Sequence, residues 1–256
     1  MSRLTIHGAK AASAATAKSD IVVVPLFKNE DLSTSASEVN AAAGDVLQRA
    51  ITIGDADAKL GKITTMVGSG NIARIMSVGC GDRASFNLEA QLAVTGAISR
   101  ALASSKAKNA IVVGDPIADD KDALAQFLEF LGRDMAMACY HYTATLGTPK
   151  PGPTFSKLTV AADGISATKA KQSLSVGATI GNGANLTREL VNLPGNVCTP
   201  SYLAKEGRAL GRKYDKLSVS VLDEKKMASM GMGSLLSVGN GLSLIHISEP
   251  TRPNTI

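Results

Sequence analysis

The sequence has no tryptophan, and aromatic residues make up only 4% of its 256 positions. Its core must therefore be assembled from Ala, Val, Leu, Ile and Met. With 45% hydrophobic and 19% charged residues there is enough apolar material for one large domain or two ordinary ones. Cysteine is scarce. Cys80, Cys139 and Cys198 lie far apart and form no CxxC pair, which argues against a disulfide framework or a zinc knuckle and fits a reducing compartment. Histidine is as rare. His7, His141 and His246 make no HExxH, and no Ser-His-Asp or Cys-His arrangement stands out. No apolar run approaches the ~20 residues that would cross a bilayer, so no membrane partner is expected. Long basic runs are missing too. The formal charge of +5 is spread along the chain in runs no longer than Lys225-Lys226, which reads as a solvated surface and not as a nucleic-acid patch.

What is present alternates between two periodicities. The stretch Ser2–Lys18 is poor in acid and rich in Ala and Ser, as transit peptides are. However, Leu4-Thr5-Ile6 and Asp20–Val24 read better as two strands of a folded domain, so a cytoplasmic location is placed ahead of an organellar one. Ile21–Leu26 is a continuous apolar run closed by Pro25, the pattern of a strand buried on both faces. Ser35-x-x-Glu38 is a capping box in front of Val39, Ala42, Ala43, Val46, Leu47 and Ala50 at helical spacing. Gly61–Val67 and Ile72–Val78 are strands around the turn Gly68-Ser69-Gly70-Asn71. Asn87 caps a helix to about Ser104, and Asn109–Val113 is the next strand. Leu124, Phe127, Leu128, Leu131 and Met135 share one helix face. Gly147–Pro153 is the strongest loop signal, and a strand at Lys157–Ala161 follows it.

A second organisation begins near Ala167. A helix from about Gln172 to Asn192 stops at Leu193-Pro194-Gly195-Asn196. Thr199-Pro200 restarts a helix with Thr as N-cap and Pro at the first helical position. Leu217, Val219 and Val221 alternate as a strand, Asp223 caps a short helix ended by Gly231 and Gly233, and Leu235, Leu236 and Val238 begin another strand that breaks at Gly239-Asn240-Gly241. Strands alternating with helices imply an α/β fold with a boundary near residue 165.

Each candidate for chemistry has a plainer reading. Gly68-x-Gly70-x-x-Ala73 looks like a dinucleotide turn but leads into a strand, so a hairpin is preferred. Gly79-Cys80-Gly81-Asp82 stands between strand and helix, a better phosphate-loop position, yet it is short and a tight turn suffices. Gly181-Asn182-Gly183 inside a helix is explained by close packing. Asp115, Asp119, Asp120 and Asp122 surround a helix start, where negative charge suits the helix dipole. His141, between Tyr140 and Tyr142, reads as a helix-end or core residue.

The segment Leu186-Thr-Arg-Glu-Leu-Val-Asn-Leu-Pro-Gly-Asn-Val-Cys-Thr-Pro-Ser-Tyr-Leu-Ala204 resembles the entry to the catalytic domain of the leucyl aminopeptidases, peptidase family M17. Val221–Glu224, Met230–Gly233 and Val238–Gly241 repeat that family's following stretches in order. Ile21–Leu26, Ala58–Gly61, Ser77–Gly81 and the helix from Asn87 resemble its N-terminal domain more loosely. The resemblance implies a macro-domain-like mixed sheet with flanking helices over 1–165, and over 166–241 the incomplete start of a second α/β domain, the peptidase. It also implies a cytoplasmic homohexamer that removes N-terminal residues, often Leu, from peptides with two divalent cations (Zn, Mn or Mg) activating a water. The family's metal ligands and catalytic residues come from a Lys-Gly-Ile-Thr-Phe-Asp-type motif and an Asn-Thr-Asp-Ala-Glu-Gly-Arg motif. Neither occurs in this sequence. The resemblance therefore assigns no catalytic, metal-binding or cofactor-binding residue, and the chain as it stands is expected to be inactive.

Leu242–Arg252 matches, residue for residue, the translation of a common transposase sequencing adapter, and Pro253–Ile256 fits the index that follows it. Residues 242–256 are thus read as non-native read-through, His246 included. Two alternatives stand beside the truncated peptidase: a macro-like module binding a nucleotide or ADP-ribose through the Gly79–Asp82 loop, and a structural module serving oligomer assembly or nucleic-acid contact.

Overall fold

β1 (Thr5–Ala9), β2 (Ile21–Leu26), β3 (Ile63–Val67), β4 (Arg74–Gly79), β5 (Asn109–Val113) and β6 (Lys157–Ala161) form one six-stranded sheet, in the order β1-β6-β5-β2-β4-β3, in the computed structural model. Residues 4–118 and 120–238 are described. Every neighbouring pair is parallel except β3 and β4. Parallel neighbours need crossovers, and helices supply them. These are α1 (Ser13–Thr16), α2 (Thr34–Ala42), α3 (Val46–Thr52), α4 (Leu88–Ser104) and α5 (Lys121–Ala138), with α6 (Ala167–Asn192) after the last strand. The fold is the mixed α/β sheet with flanking helices that the sequence implies.

The sheet is covered on both faces, so β2 is buried along its whole length. On one face Ile21, Val23, Met76, Val78 and Val112 meet Val94, Ile98 and Leu102 of α4, Phe127, Leu128 and Leu131 of α5, and Leu174 of α6. On the other, Val22, Val24, Ile75 and Ile111 meet Ala14, Val39 and Leu47 from α1, α2 and α3. A proline in a central strand costs a ladder hydrogen bond. Pro25 avoids that cost. Leu26 O accepts from Cys80 N, so by alternation the Pro25 nitrogen points away from β4, and the β5 ladder has already ended at Val23.

Several local expectations are corrected. The helix expected from Ser35 to Ala50 is two helices. Gly44 and Asp45 have φ of 81° and 57°, which no helix accommodates. Asn40 makes the break affordable, because its buried Oδ1 accepts from Leu47 N and Gln48 N at the start of α3. The cap of α2 is Ser33, whose Oγ accepts from Ala36 N, rather than Ser35. Helix α6 starts at Ala167, five residues before Gln172, where the Ser166 hydroxyl accepts from Lys169 N.

The chain divides into one unit ending at Glu189 and another starting at Leu190. The first unit runs past residue 165 because α6 lies close against α5. A Cβ at Gly177 would strike Glu129 O, one at Gly181 would strike Arg133 O, and one at Gly132 would strike Leu174 O. Glycine lets the two backbones approach, as inferred for Gly181, whereas a Cβ on Gly183 would meet nothing.

In the second unit α7 (Pro200–Lys213) is capped by Thr199 as expected, and α8 (Glu224–Ser229) by Asp223. The strands expected at 217–221 and 235–238 do not form. Residues 217–221 carry no regular secondary structure, and 233–238 is helical. The strand break at Gly239-Asn240-Gly241 and the stretch 242–256 lie outside the described residues. No residue from 190 to 238 is buried.

Candidate functional site

Open α/β sheets bind ligands beyond the carboxyl ends of their strands. Here the end of β2 borders a cavity of about 200 Å³ lined by Phe27, Glu30, Ser33, Arg83, Asp115 and Pro116 among others. Arg83 braces it. Its Nε and Nη2 donate to the two Glu30 carboxylate oxygens, both at 2.7 Å, and Nη2 also donates to Pro116 O at 2.9 Å. The guanidinium lies 3.8 Å from the centroid of the Phe27 ring, which in turn meets Phe86 edge-on at 5.0 Å. Hydrogen bonding from Arg83 lowers the Glu30 pKa below its ordinary value against a smaller opposing effect of burial.

The Gly79–Asp82 loop leads from β4 to Arg83 but offers no anion cradle. Gly79 N donates to Lys62 O, Cys80 N to Leu26 O and Gly81 N to Ala58 O. All three amides are consumed in holding the loop, which is the tight-turn reading. Burial pushes the Cys80 thiol up to about 12, so it is no nucleophile at neutral pH.

A larger cavity of about 400 Å³ lies at the end of α5 and is lined by Cys139, Tyr140, His141, Asn182, Asn185 and Glu189 among others. Tyr140 OH donates to Glu189 Oε2 at 2.9 Å, Asn185 Nδ2 to Ala136 O at 2.9 Å, and Arg188 Nη1 to Met137 O at 3.2 Å. His141 Nε2 lies 2.7 Å from Lys150 O and so pins the proline-rich loop, a structural task that agrees with its helix-end reading. Burial pushes the Cys139 thiol up to about 11. The other candidates also resolve structurally. Gly68–Ala73 is the hairpin between β3 and β4, closed by Gly68 N donating to Ala73 O. Asp120 caps α5 by accepting from Ala123 N, Asp122 stands in its first turn, and Asp115 accepts from Asp163 N. Asp119 and His246 lie outside the described residues.

Among the described residues no group of three His, Cys, Asp or Glu side chains is placed to share a metal ion. Among those residues the donors do not fit a pair of divalent cations. Sequence reasoning missed the residues that organise both cavities. Arg83 and Glu30 are 53 positions apart, and Tyr140 and Glu189 are 49 apart, so no local spacing marks them.

The N-terminal domain of the cytosol aminopeptidase family matches residues 23–147, and the family's catalytic domain matches 185–249. The chain belongs to the cytosol aminopeptidase family. It is 35% identical over 240 residues to a probable cytosol aminopeptidase of Alkalilimnicola ehrlichii, covering 92% of this chain and 48% of that one. It is 33% identical over 258 residues to one from Chromohalobacter salexigens, covering 97% and 48%. The chain thus spans about half the length of the curated relatives it matches. In fold it is similar to a tomato leucine aminopeptidase variant, with a TM-score of 0.73 at 19% identity over 90% of this chain and 46% of that one. The bottromycin maturation enzyme BotP in complex with Mn gives 0.56 at 18% identity, covering 76% and 36%. The catalytic-domain match begins inside α6 and takes in the turn at Leu193–Asn196 and the Thr199-Pro200 cap, the segment singled out in the sequence. It ends eight residues inside the stretch 242–256.

Proposed function

We propose that this chain is the leading part of a metal-dependent leucyl aminopeptidase, which hydrolyses N-terminal residues, often Leu, from peptides. The observation that carries this reading is the catalytic-domain match from 185 onward, joined in order to the N-terminal domain match. Two divalent cations, Zn, Mn or Mg, would supply an activated water in the full-length enzyme. Among the described residues no donor set for them is grouped, and the family's two ligand motifs do not occur in the sequence, so no chemical step is assigned to this chain. What its residues do is build the N-terminal sheet, fix α6 against α5, and carry the chain through Pro194 and Thr199 into the peptidase domain. A cytoplasmic homohexamer belongs to the same reading. The location agrees with the relatives' name, cytosol aminopeptidase.

The division into 1–165, 166–241 and a read-through stretch 242–256 is part of the proposal as a division by family resemblance, while the compact unit itself runs on to Glu189. The test is to read the genomic sequence past the Gly241 codon and assay both products with leucine p-nitroanilide and Mn²⁺. The extended product should hydrolyse it and this chain should not. A gene that ends at Ile256, or an extended product without activity, would remove the peptidase reading.

A further inference from the structure

The sheet face beside α1 changes character along its strands. Parallel neighbours in register point their side chains to the same face, so Asn109, Lys157 and Thr5 form one row, and Ile111, Thr159 and His7 form the next. The row after that, Val113, Ala161 and Ala9, belongs to the apolar core on this face, as do Ile111 and its neighbour Val22. A covered parallel sheet is expected to stay apolar, and here it turns polar at Thr159 and His7. The polar end borders a cavity of about 210 Å³, whose polar lining is His7, Ser13, Lys18, Asn109, Lys157 and Thr159. It lies at the amino ends of β5 and β6, whereas the Arg83 cavity lies at the carboxyl end of β2.

Each of these six side chains can donate a hydrogen bond, and none is a carboxylate. Among the described residues Lys18 and Lys157 make no ion pair, and the Ser13 and Thr159 hydroxyls and the His7 ring make no hydrogen bond. Asn109 Oδ1 accepts from Asp20 N at 3.0 Å, which leaves its Nδ2 group as a donor without a partner among those residues. The nearby carboxylates are engaged elsewhere. Asp20 accepts from Lys108 N and Asn109 N, Asp163 accepts from Ala11 N, and neither lines the cavity. Burial first, and then the charges of Lys157 and of Lys171 on α6, lower the His7 pKa. Cations gathered without a counter-charge repel one another, and an anion placed among them removes that repulsion.

We propose that this cavity binds a phosphate dianion, free or as the terminal group of a small phosphomonoester, between Lys18 and Lys157 and against the Ser13, Asn109 and Thr159 donors. Lysine ammonium groups act as compact point charges for such a group, and hydroxyl and amide donors complete its oxygens. A carboxylate is a poorer match, because it brings one charge and two oxygens to a site with two lysines and several further donors. A nucleic-acid backbone is also a poorer match, because the cations surround a cavity instead of following a stripe. This inference does not rest on the peptidase reading.

NMR of the histidine rings in the full chain tests it, with inorganic phosphate or phenyl phosphate added at fixed pH and at ionic strength held constant with sodium chloride. The His7 signals should shift saturably and those of His141 should not. The His7 pKa should rise when the site is filled, because a dianion favours the imidazolium form. Lys18→Gln and Lys157→Gln should each weaken binding roughly two- to fivefold, the factor for an exposed ion pair. Thr159→Val should weaken it by a similar factor with no change of charge. Residues 18 and 157 are exposed, so far-UV circular dichroism of the lysine variants should match wild type. A tighter midpoint for phenyl phosphate assigns the cavity to a phosphomonoester, and equal midpoints assign it to free phosphate. A shift that does not saturate, or that chloride alone reproduces, overturns the proposal. So do lysine variants that bind like wild type, and so does a response to duplex DNA with none to either phosphate.

Discussion

Two glycines six residues apart on α6 should respond to the same substitution with opposite signs. Alanine is better than glycine in a helix interior by about 1 kcal/mol, wherever the methyl group has room. At Gly183 a Cβ meets nothing within 4 Å. Gly183→Ala should therefore stabilise by roughly 0.5–1 kcal/mol. At Gly177 the Cβ would fall on Glu129 O and crowd Arg133 N. Those are backbone atoms, which cannot rotate aside as a flexible side chain would, so α5 and α6 must separate. Overpacking of this kind costs about 1–3 kcal/mol, and the upper end applies when backbone is struck. Subtracting the propensity gain leaves a net loss of roughly 1–2 kcal/mol. For a unit of this size 1 kcal/mol corresponds to about 2–4 °C in Tm, so Gly183→Ala should melt about 1–4 °C higher and Gly177→Ala about 2–8 °C lower. Thermal and urea unfolding followed by far-UV circular dichroism reads both. If Gly177→Ala is as stable as wild type, or if both shift the same way, the close approach of α5 and α6 is refuted.

Three further outcomes follow from the same structure. Asn40→Ala should cost about 1–3 kcal/mol, since Leu47 N and Gln48 N lose their acceptor in a buried place; a urea midpoint unchanged from wild type would show that the α2–α3 break does not depend on Asn40. Cys80 and Cys139, held near about 12 and about 11, should resist Ellman's reagent at neutral pH until the chain is unfolded, because the thiolate is the reacting form and its population rises only as pH approaches those values; fast native labelling of Cys80 would contradict its burial. Limited proteolysis should cut between 190 and 238 first and leave a fragment ending near 189, whereas a fragment ending at 165 should be unstable, because it loses Ala170, Leu174 and Ala178 from the core; equal resistance across the whole chain would refute the division.

The parts of the fold that were legible in the sequence are those where one local signal sufficient in itself was present. The apolar run Ile21–Leu26, the five-residue face of α5 and the Thr199-Pro200 cap each needed no distant partner to be recognised. Where reading failed, a nearby competitor had taken over. Ser33 outcompeted Ser35 as cap because it alone has the extended backbone that an N-cap requires. The helical spacing from Val39 to Ala50 hid a break that rests on Asn40, whose side chain replaces the hydrogen bonds a continuous helix would make. The Arg83–Glu30 brace and the Tyr140–Glu189 bond were invisible for another reason: local spacing carries no record of what the sheet, or the packing of α6 on α5, brings together.

The second unit shows the same limit from the opposite side. Leu217, Val219 and Val221 have the alternation of a strand, yet all three are 37–43% exposed and pair with nothing among the described residues. A period of two states which side chains want a core face, and it leaves the supply of a core and a neighbouring strand to the rest of the fold. β5, equally short, became a strand because β2 and β6 flank it and helices cover both of its faces. With no buried residue from 190 to 238, that supply is absent around Leu217–Val221, and the same kind of pattern yields no regular secondary structure. The motif that marks the family most specifically therefore lies in the segment least able to fix its own structure. Its strand pattern should become a strand only where a neighbouring strand and a core are supplied.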